Sequence, residues 1–315
     1  MTPVIEVEHL KKYFTTPRGL LHAVDDVTFT IEKGKTLGVV GESGCGKSTL
    51  GRTIIHLHES TDGVVKLNGE QVNHLSGNAL KKAREKMQII FQDPYSSIDP
   101  RKTAEQTIME PLIVSRKFSR SEIEDKTDEL MALVGIDERL RRAYPHELDG
   151  GRRQRVGIAR ALALNPEFVV CDEPVSALDV SIQAQVLNLL KKLQMEKGLT
   201  YMFVTHDMSV VRHISDDICV MYLGQVVEKC PSRELFKHPL HPYTQALLSA
   251  IPSVDIHNQT KRMILKGELT SPINPKPGCR FAARCPYVKD ACHQQQQQEE
   301  VSPGHFVTCC RVHEL

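Results

Sequence analysis

Between positions 41 and 49 the chain reads Gly-Glu-Ser-Gly-Cys-Gly-Lys-Ser-Thr, which fits GxxxxGK[ST], a loop whose backbone N–H groups wrap phosphate. Gly41, Glu42, Ser43, Gly44, Cys45, Gly46, Lys47, Ser48 and Thr49 are therefore candidate nucleotide contacts. Lys47 is expected to reach the β- and γ-phosphates, and the Ser48 hydroxyl to bind Mg²⁺. The flanks suit this chemistry: Thr36-Leu-Gly-Val-Val40 reads as a short buried strand, and the residues after Lys47 can start a helix whose N-terminal dipole favours anions. A second chemical pair, Asp172-Glu173, ends the apolar run Phe168-Val-Val-Cys-Asp172. In a doubly wound topology that puts two carboxylates at the carboxyl edge of the sheet, beside the phosphate loop. There Asp172 would support the Mg²⁺ shell and Glu173 would polarise a water aimed at the γ-phosphate.

The elements that must carry these residues follow from the patterning. Strand-like runs (Val4 to Val7, Val24 to Ile31, Gly63 to Leu67, Met87 to Phe91) make the first segment β-rich. From Asp93 to about Pro145 they give way to charged, helix-forming sequence such as Ser121 to Val134, which predicts a helical insertion. Beyond it, the runs Phe168 to Asp172 and Tyr201 to Thr205 flank a helix with Ile182, Val186, Leu189 and Leu193 on one face. That alternation implies a parallel, helix-covered sheet, an α/β fold. After about Ala250, Pro252, Pro272, Pro275 and Pro277 break regular structure and introduce a small C-terminal extension; the glutamines at 294 to 298 read as a solvated helix or loop.

Composition bounds the rest. The 315 residues are 25% charged and 40% hydrophobic, enough for a full core in one large or two smaller domains. With 40 Lys+Arg against 39 Asp+Glu, the net charge of +1 gives no global basic field for nucleic acid. No run of about 18 apolar residues and no basic-then-apolar N-terminal signal is present, so the chain is expected in the cytosol. Of nine cysteines, Cys45, Cys171, Cys219 and Cys230 read as small core residues, whereas Cys279, Cys285, Cys292, Cys309 and Cys310 crowd the C-terminal extension. In a reducing compartment such a cluster suggests metal more than disulfides.

The segment Tyr144-Pro-His-Glu-Leu-Asp-Gly-Gly-Arg-Arg-Gln-Arg-Val-Gly-Ile-Ala-Arg-Ala161 resembles the signature of ATP-binding cassette (ABC) ATPases, and Gln92, Ser176-Ala-Leu-Asp179 and His206 stand in the order that family uses. The resemblance covers roughly residues 4 to 250 and implies a P-loop ABC ATPase core with a helical subdomain at about 93–160, and residues 251–315 as an appended extension. It implies that Tyr13 stacks on adenine, Gln92 links Mg²⁺ to the transport channel, Asp179 sits at a dimer interface and His206 contacts the γ-phosphate. Leu148, Asp149, Gly150, Gly151 and Arg152 stand where the family has LSGGQ. Asp caps a helix as well as Ser does, but it cannot donate to a γ-phosphate held by an opposite subunit. Two unit charges about 4 Å apart at an effective dielectric near 20 interact by roughly 4 kcal/mol. The departure therefore suggests pairing with a different ATPase and two unequal composite sites, with Arg152 as a compensating charge.

The run His238 to Pro252 and the segment Lys261 to Pro286 resemble the end of the ATPase subunits of dipeptide and oligopeptide importers, most closely the second of the two ATPases in such systems. The implied partners are a second ABC ATPase, two membrane permease subunits and, indirectly, an extracytoplasmic solute-binding protein, with no nucleic acid; the implied location is the cytoplasmic face of the membrane. Related systems carry nickel chelates or other small solutes. A soluble ABC protein acting on ribosomes or DNA is a rival, as is a P-loop kinase or GTPase, which leaves the signature unexplained. In the extension five, six and sixteen residues separate Cys279, Cys285, Cys292 and Cys309. Four thiolates can hold Zn²⁺ or a [4Fe–4S] cluster. The gaps match the peptide-importer tail, in which some members carry iron–sulfur clusters; zinc and free or redox-active thiols are the alternatives.

Overall fold

In the computed structural model, which describes residues 3–251, 263–265, 267 and 271–314, the β-rich start of the chain is longer-stranded than its short apolar runs suggest. Pro3–Thr16 and Gly19–Glu32 each run for 14 residues. They lie in a four-stranded sheet in the order Gly19–Glu32, Pro3–Thr16, Asp62–Leu67, Glu70–Gln71. Polar positions such as Lys11 and Thr28 alternate with buried Val7, Leu10, Val27 and Phe29, so each strand keeps one face in the core.

The chain divides into two compact units. The first comprises Ile5–Ile31, Lys35–Asn73 and the described residues from Phe203 on. Here the fully buried strand Thr36–Val40 lies parallel to Asp217–Tyr222, with Leu37 opposite Asp217 and Val40 opposite Val220. Gln225–Pro231 turns back antiparallel, then pairs with His305–Val307, which pairs with Glu299–Ser302. The extension thus adds two strands to the phosphate-loop strand's own sheet. Phe281 locks it down, packing edge-on to Tyr222 at 5.2 Å and against Tyr243 at 5.4 Å in a core that includes Val40 and Val211. Leu21 bridges Ile273, tying the proline-rich segment to Gly19–Glu32.

The second unit comprises Pro3, Val4, Glu32–Gly34 and His74–Met202. Met87–Ile90 and Phe168–Asp172 pair in parallel, as expected of strands with two covered faces. The helices Ala104–Ser115 and Arg120–Val134 start at capping boxes on Thr103 and Ser119, and Gly150–Leu162 packs with both. In Val180–Lys197, Val186, Leu189 and Leu193 are buried and Ile182 half-buried.

By contacts, the described part of the extension belongs to the same compact unit as the N-terminal strands. Pro252 and part of the importer-like run from Lys261 lie outside the described residues. The glutamine run is a mostly exposed loop, with Gln296 accepting from the Cys310 N–H at 3.0 Å. Cys45, Cys171, Cys219 and Cys230 are buried.

The attachment of the extension depends on Glu228, which is fully buried. Its carboxylate accepts from the Leu240 N–H at 2.8 Å and the His241 N–H at 3.0 Å, and meets His305 Nε2 at 2.7 Å. Glu228, Cys230 and His305 lie within 4.8 Å of one another. Glu228 is already committed to these three partners, so we read the group as a structural clasp. Glu228→Leu strands the buried His241 N–H at about 1–3 kcal/mol and the part-buried Leu240 N–H at less. The expected outcome is a lower melting temperature and faster proteolysis after about residue 290 than in wild type.

Candidate functional site

Positive φ values at Gly41, Gly44 and Gly46 (153°, 79° and 105°) bend the chain out of the strand and into the helix Lys47–Ile54. A Cβ on Gly46 would lie 2.0 Å from the Ala23 carbonyl oxygen, and one on Gly41 2.2 Å from that of Met221. Only glycine fits at either place. Lys47, 4% exposed, donates through Nζ to the carbonyls of Gly41 at 2.8 Å and Glu42 at 3.0 Å, which aims its ammonium into the loop. Burial raises the pKa of the Cys45 thiol, so this cysteine packs as a neutral group. Ser43 and Gly44 are exposed, Ser48 is half-buried at the helix start, and the Thr49 carbonyl accepts from the Thr53 hydroxyl at 2.7 Å. Gly46 stands at the N-cap without a side-chain acceptor, so no side chain of the cap takes the first-turn N–H groups. With the buried cation beside them, these donors fit a polyphosphate.

In the same unit Tyr13 stacks on His22 at 3.9 Å and donates a short hydrogen bond to Asp25. One face of the ring expected to stack on adenine is therefore covered by a histidine. Burial, then the bond to Asp25, raises the Tyr13 pKa. Burial also pushes the Asp25 carboxyl up, but hydrogen bonds from Tyr13 and His22 and the charge of Arg280 outweigh it and hold it below its ordinary value. His206 is exposed after Thr205, whose N–H donates to the Val39 carbonyl at 3.1 Å; Asp207 caps the next helix.

The remaining predicted residues lie in the other unit. Asp172 is fully buried at the end of its strand. Glu173 follows at φ 46°, a left-handed conformation that strains a non-glycine residue by about 1–3 kcal/mol. Its carbonyl accepts from the Ser176 N–H at 3.3 Å and hydroxyl at 3.1 Å, and Gln92 Nε2 donates to its carboxylate at 3.1 Å. Gln92 and Glu173, 81 residues apart, are thus in direct contact.

Leu148 is buried, and Asp149 caps the helix Gly150–Leu162 by accepting from the Arg152 N–H at 2.7 Å. The Arg152 guanidinium lies 3.4 Å from the same carboxylate, with both side chains more than half exposed. A Cβ on Gly151 would lie 2.5 Å from Ile182 Cγ2, so this glycine admits close packing on Val180–Lys197. Asp179 caps that helix through the Ile182 N–H at 3.0 Å.

The five cysteines of the extension line one cavity. Cys292 Sγ and Cys310 Sγ are 3.8 Å apart, Cys310 being exposed and Cys279, Cys285 and Cys309 partly so. Burial pushes the thiol of Cys279 up to about 12 and that of Cys310 to about 11, and raises those of Cys285 and Cys309. Two arginines escaped the sequence reading: Arg284, whose Nη atoms contact the Glu42 carboxylate at 2.8 and 3.1 Å, and Arg280, which pairs with Asp25. Their signal was adjacency, Cys279-Arg280 and Arg284-Cys285, but only the fold reveals their partners.

Against known proteins, residues 24–176 match the family model described as ABC transporter, and residues 227–292 that of the oligopeptide/dipeptide transporter C-terminal region. The chain is 50% identical to the oligopeptide transport ATP-binding protein AppF of Bacillus subtilis (strain 168), covering 97% of this chain and 96% of the relative. It is 46% identical to the dipeptide transport ATP-binding protein DppF of Escherichia coli (strain K12), covering 98% and 95%. Among solved structures it is similar to the ATP-binding cassette MJ0796 in a dimeric post-hydrolysis state bound to ADP and Pi (TM-score 0.67, 32% identity, 73% of this chain and 99% of that one). It is also similar to cbiO1 of Clostridium perfringens, part of the ABC transporter complex cbiONQ (TM-score 0.68, 28% identity, 76% and 92%).

A methyl group at Gly46 demands an unfavourable φ and a clash with Ala23, together about 2–6 kcal/mol unless the loop moves. Gly46→Ala is therefore expected to raise the Kd for ATP by about 30-fold or more, measured by equilibrium binding of a fluorescent ATP analogue. An unchanged Kd would mean that the loop does not need this geometry.

Proposed function

The chain belongs to the ABC transporter family, among the ATP-binding proteins of oligopeptide and dipeptide transport, and from that premise we propose that it is an ATPase subunit driving peptide import through separate membrane permease subunits. The observation that carries this reading is the near-full-length likeness to peptide-transport ATP-binding proteins, joined to a glycine-shaped loop with a buried lysine. The fold is the mixed α/β ABC ATPase core, with residues 1–250 as its ATPase domain, a helical subdomain near 93–160 and the remainder as an extension. ATP would lie along Gly41 to Thr49, with Ser48, Gln92 and Asp172 holding Mg²⁺, and Tyr13 and His206 contacting base and γ-phosphate. Glu173 is the general base, and the bond from Gln92 orients its carboxylate. Removing a general base typically lowers the rate 10²- to 10⁴-fold. Glu173→Gln should lower ATP turnover within that range and leave ATP binding within about twofold of wild type; full turnover would reassign the base.

Two such ATPases close around two nucleotides, and Leu148 to Arg152 would be this chain's contribution to the nucleotide held by a non-identical partner. Asp149 brings an exposed carboxylate where phosphate would approach, and the 3.4 Å contact with Arg152 offsets part of its charge. That makes one composite site slow and leaves the other, served by Glu173, as the hydrolytic one. Serine caps as well as aspartate, so Asp149→Ser should keep the melting temperature while accelerating ATP turnover in the intact transporter; unchanged turnover would remove the asymmetry.

No helix among the described residues is long and apolar enough to cross a membrane, in keeping with a peripheral subunit on the cytoplasmic face. The permease-docking surface we favour is a cavity of about 660 Å³ lined by Lys102, Met109, Ile113 and Val114, where Ile113 and Val114 are 56% and 60% exposed. The extracytoplasmic solute-binding protein would act through those permeases. Cys279, Cys285, Cys292 and Cys309 line one cavity, and we propose them as ligands of a thiolate-held centre. A [4Fe–4S] cluster would supply a one-electron redox centre there, and zinc a structural one. Iron and acid-labile sulfide in anaerobically purified protein are expected; colourless protein with stoichiometric zinc decides for the alternative.

A further inference from the structure

The two arginines that flank the first two cysteines of the extension both end on the nucleotide site. Arg284, next to Cys285, sends its two terminal nitrogens to the Glu42 carboxylate, the second residue of the phosphate loop. Its side chain is only 10% exposed, and the guanidinium also lies over the Tyr222 ring, 6.0 Å from its centroid, so Glu42 and Tyr222 together hold it. The Glu42 N–H in turn donates to the Tyr243 hydroxyl at 2.8 Å, and Tyr243 packs on Phe281, which lies between the two arginines in sequence. Thus the loop's first turn is gripped at both side chain and backbone.

Arg280, next to Cys279 and 7% exposed, donates to the Leu223 carbonyl and to Asp25. Leu223 adjoins Gly224, whose N–H donates to the Cys45 carbonyl at 2.7 Å, inside the loop. Asp25 is the acceptor that holds Tyr13. One arginine therefore reaches the start of the loop, and the other reaches its middle and the aromatic expected to meet the base. The Ala282–Arg284 turn links them within a segment whose first and last side chains line the thiol cavity.

We propose that Arg284 and Arg280 are positioning residues for ATP binding that couple the cysteine module to the phosphate loop, so that the state of the thiols and occupancy of the loop by nucleotide influence one another. The proposal rests on reading Gly41 to Thr49 as the ATP site, but not on which metal, if any, the thiols hold. Displacing Cys279 or Cys285 moves the adjoining arginine, and a bidentate contact tolerates little displacement before one of its bonds is lost. Because equilibrium coupling between two sites is reciprocal, nucleotide shifts the equilibrium between states of the thiol module by the same factor that those states change nucleotide affinity, typically about 5- to 150-fold; a labelling rate reads the direction of that shift.

The test uses the intact transporter, purified anaerobically, with a fluorescent non-hydrolysable ATP analogue as probe. Arg284→Ala is expected to raise the analogue's Kd about fivefold or more, with Arg284→Lys recovering part of the loss and a lower ATPase rate reversed at saturating ATP. Independently, maleimide labelling of Cys310, the exposed thiol outside the proposed ligand set, followed by peptide mass spectrometry, should be slowed by the analogue in wild type. In the Arg280→Ala/Arg284→Ala protein it should be insensitive to the analogue. If the double variant does not assemble, Glu42→Gln weakens the same contact from the loop side and should blunt the nucleotide effect. Labelling rates indifferent to nucleotide in wild type, or an effect surviving in the double variant, overturn the coupling. Lys47→Ala separates the premises: if it still binds the analogue, the ATP-site reading fails rather than the coupling.

Discussion

The structure of the nucleotide-binding unit depends on how closely backbone packs behind the phosphate loop. Gly46 lies against the Ala23 carbonyl, Gly41 against that of Met221, and Gly224 against the carbonyls of His22 and Ala23. None of these approaches leaves space for a Cβ. The loop is shaped from behind by backbone carbonyls of two strands, and in front by the bond from its Glu42 N–H to the Tyr243 hydroxyl. Overpacked positions cost about 1–3 kcal/mol each, so each glycine is a fixed point of the fold rather than a flexible one.

The same packing explains why the extension is more than an appendage. Its strands prolong the sheet that contains Thr36–Val40, its Phe281 fills the aromatic core beside Tyr222 and Tyr243, and its arginines meet groups on and behind the loop. A buried ion pair adds little net stability, but breaking one partner leaves an uncompensated charge at about 3–5 kcal/mol. Arg284 and Glu42 are only partly buried, so separating them costs less than this, and the bidentate geometry constrains position more than it stabilises the fold. Burial lowers the Arg280 pKa whereas Asp25 raises it, the balance expected of a charge kept in the interior by its partner.

Much of this was legible in the residues, and the illegible part has a physical reason. The loop, the strand before it, the buried strand ending at Asp172 and the helical insertion are local patterns, and local patterns survive without a fold. Gln92 could be named as a candidate, but its contact with Glu173 spans 81 positions and needs the parallel pairing of Met87–Ile90 with Phe168–Asp172. The strain at Glu173 is invisible in sequence because nothing about glutamate signals a φ of 46°. Strand lengths were underestimated because polar positions on an open sheet face interrupt the apolar runs. The boundary near residue 250 followed a change in composition, whereas compactness follows contacts, and the contacts join the extension to the N-terminal strands.

The N-termini of the helices Lys47–Ile54 and Gly150–Leu162 are built oppositely, and the difference lies in one side chain each. The helix Lys47–Ile54 begins at Gly46, which supplies no acceptor, and carries a buried ammonium in its first turn. The helix Gly150–Leu162 begins at Asp149, which takes the Arg152 N–H for itself and adds a negative charge at the positive end of the dipole. An arriving phosphate is attracted by donors and cation at the first terminus. At the second it meets a carboxylate worth roughly 4 kcal/mol of repulsion at 4 Å, reduced by whatever Arg152 screens. Serine would cap this helix equally well, so what would weaken the site offered to another chain is the charge of Asp149 and not the cap it makes. On the reading proposed above, the chain would be asymmetric before any partner arrives: its phosphate loop offers donors and a buried cation, whereas its signature helix offers a carboxylate.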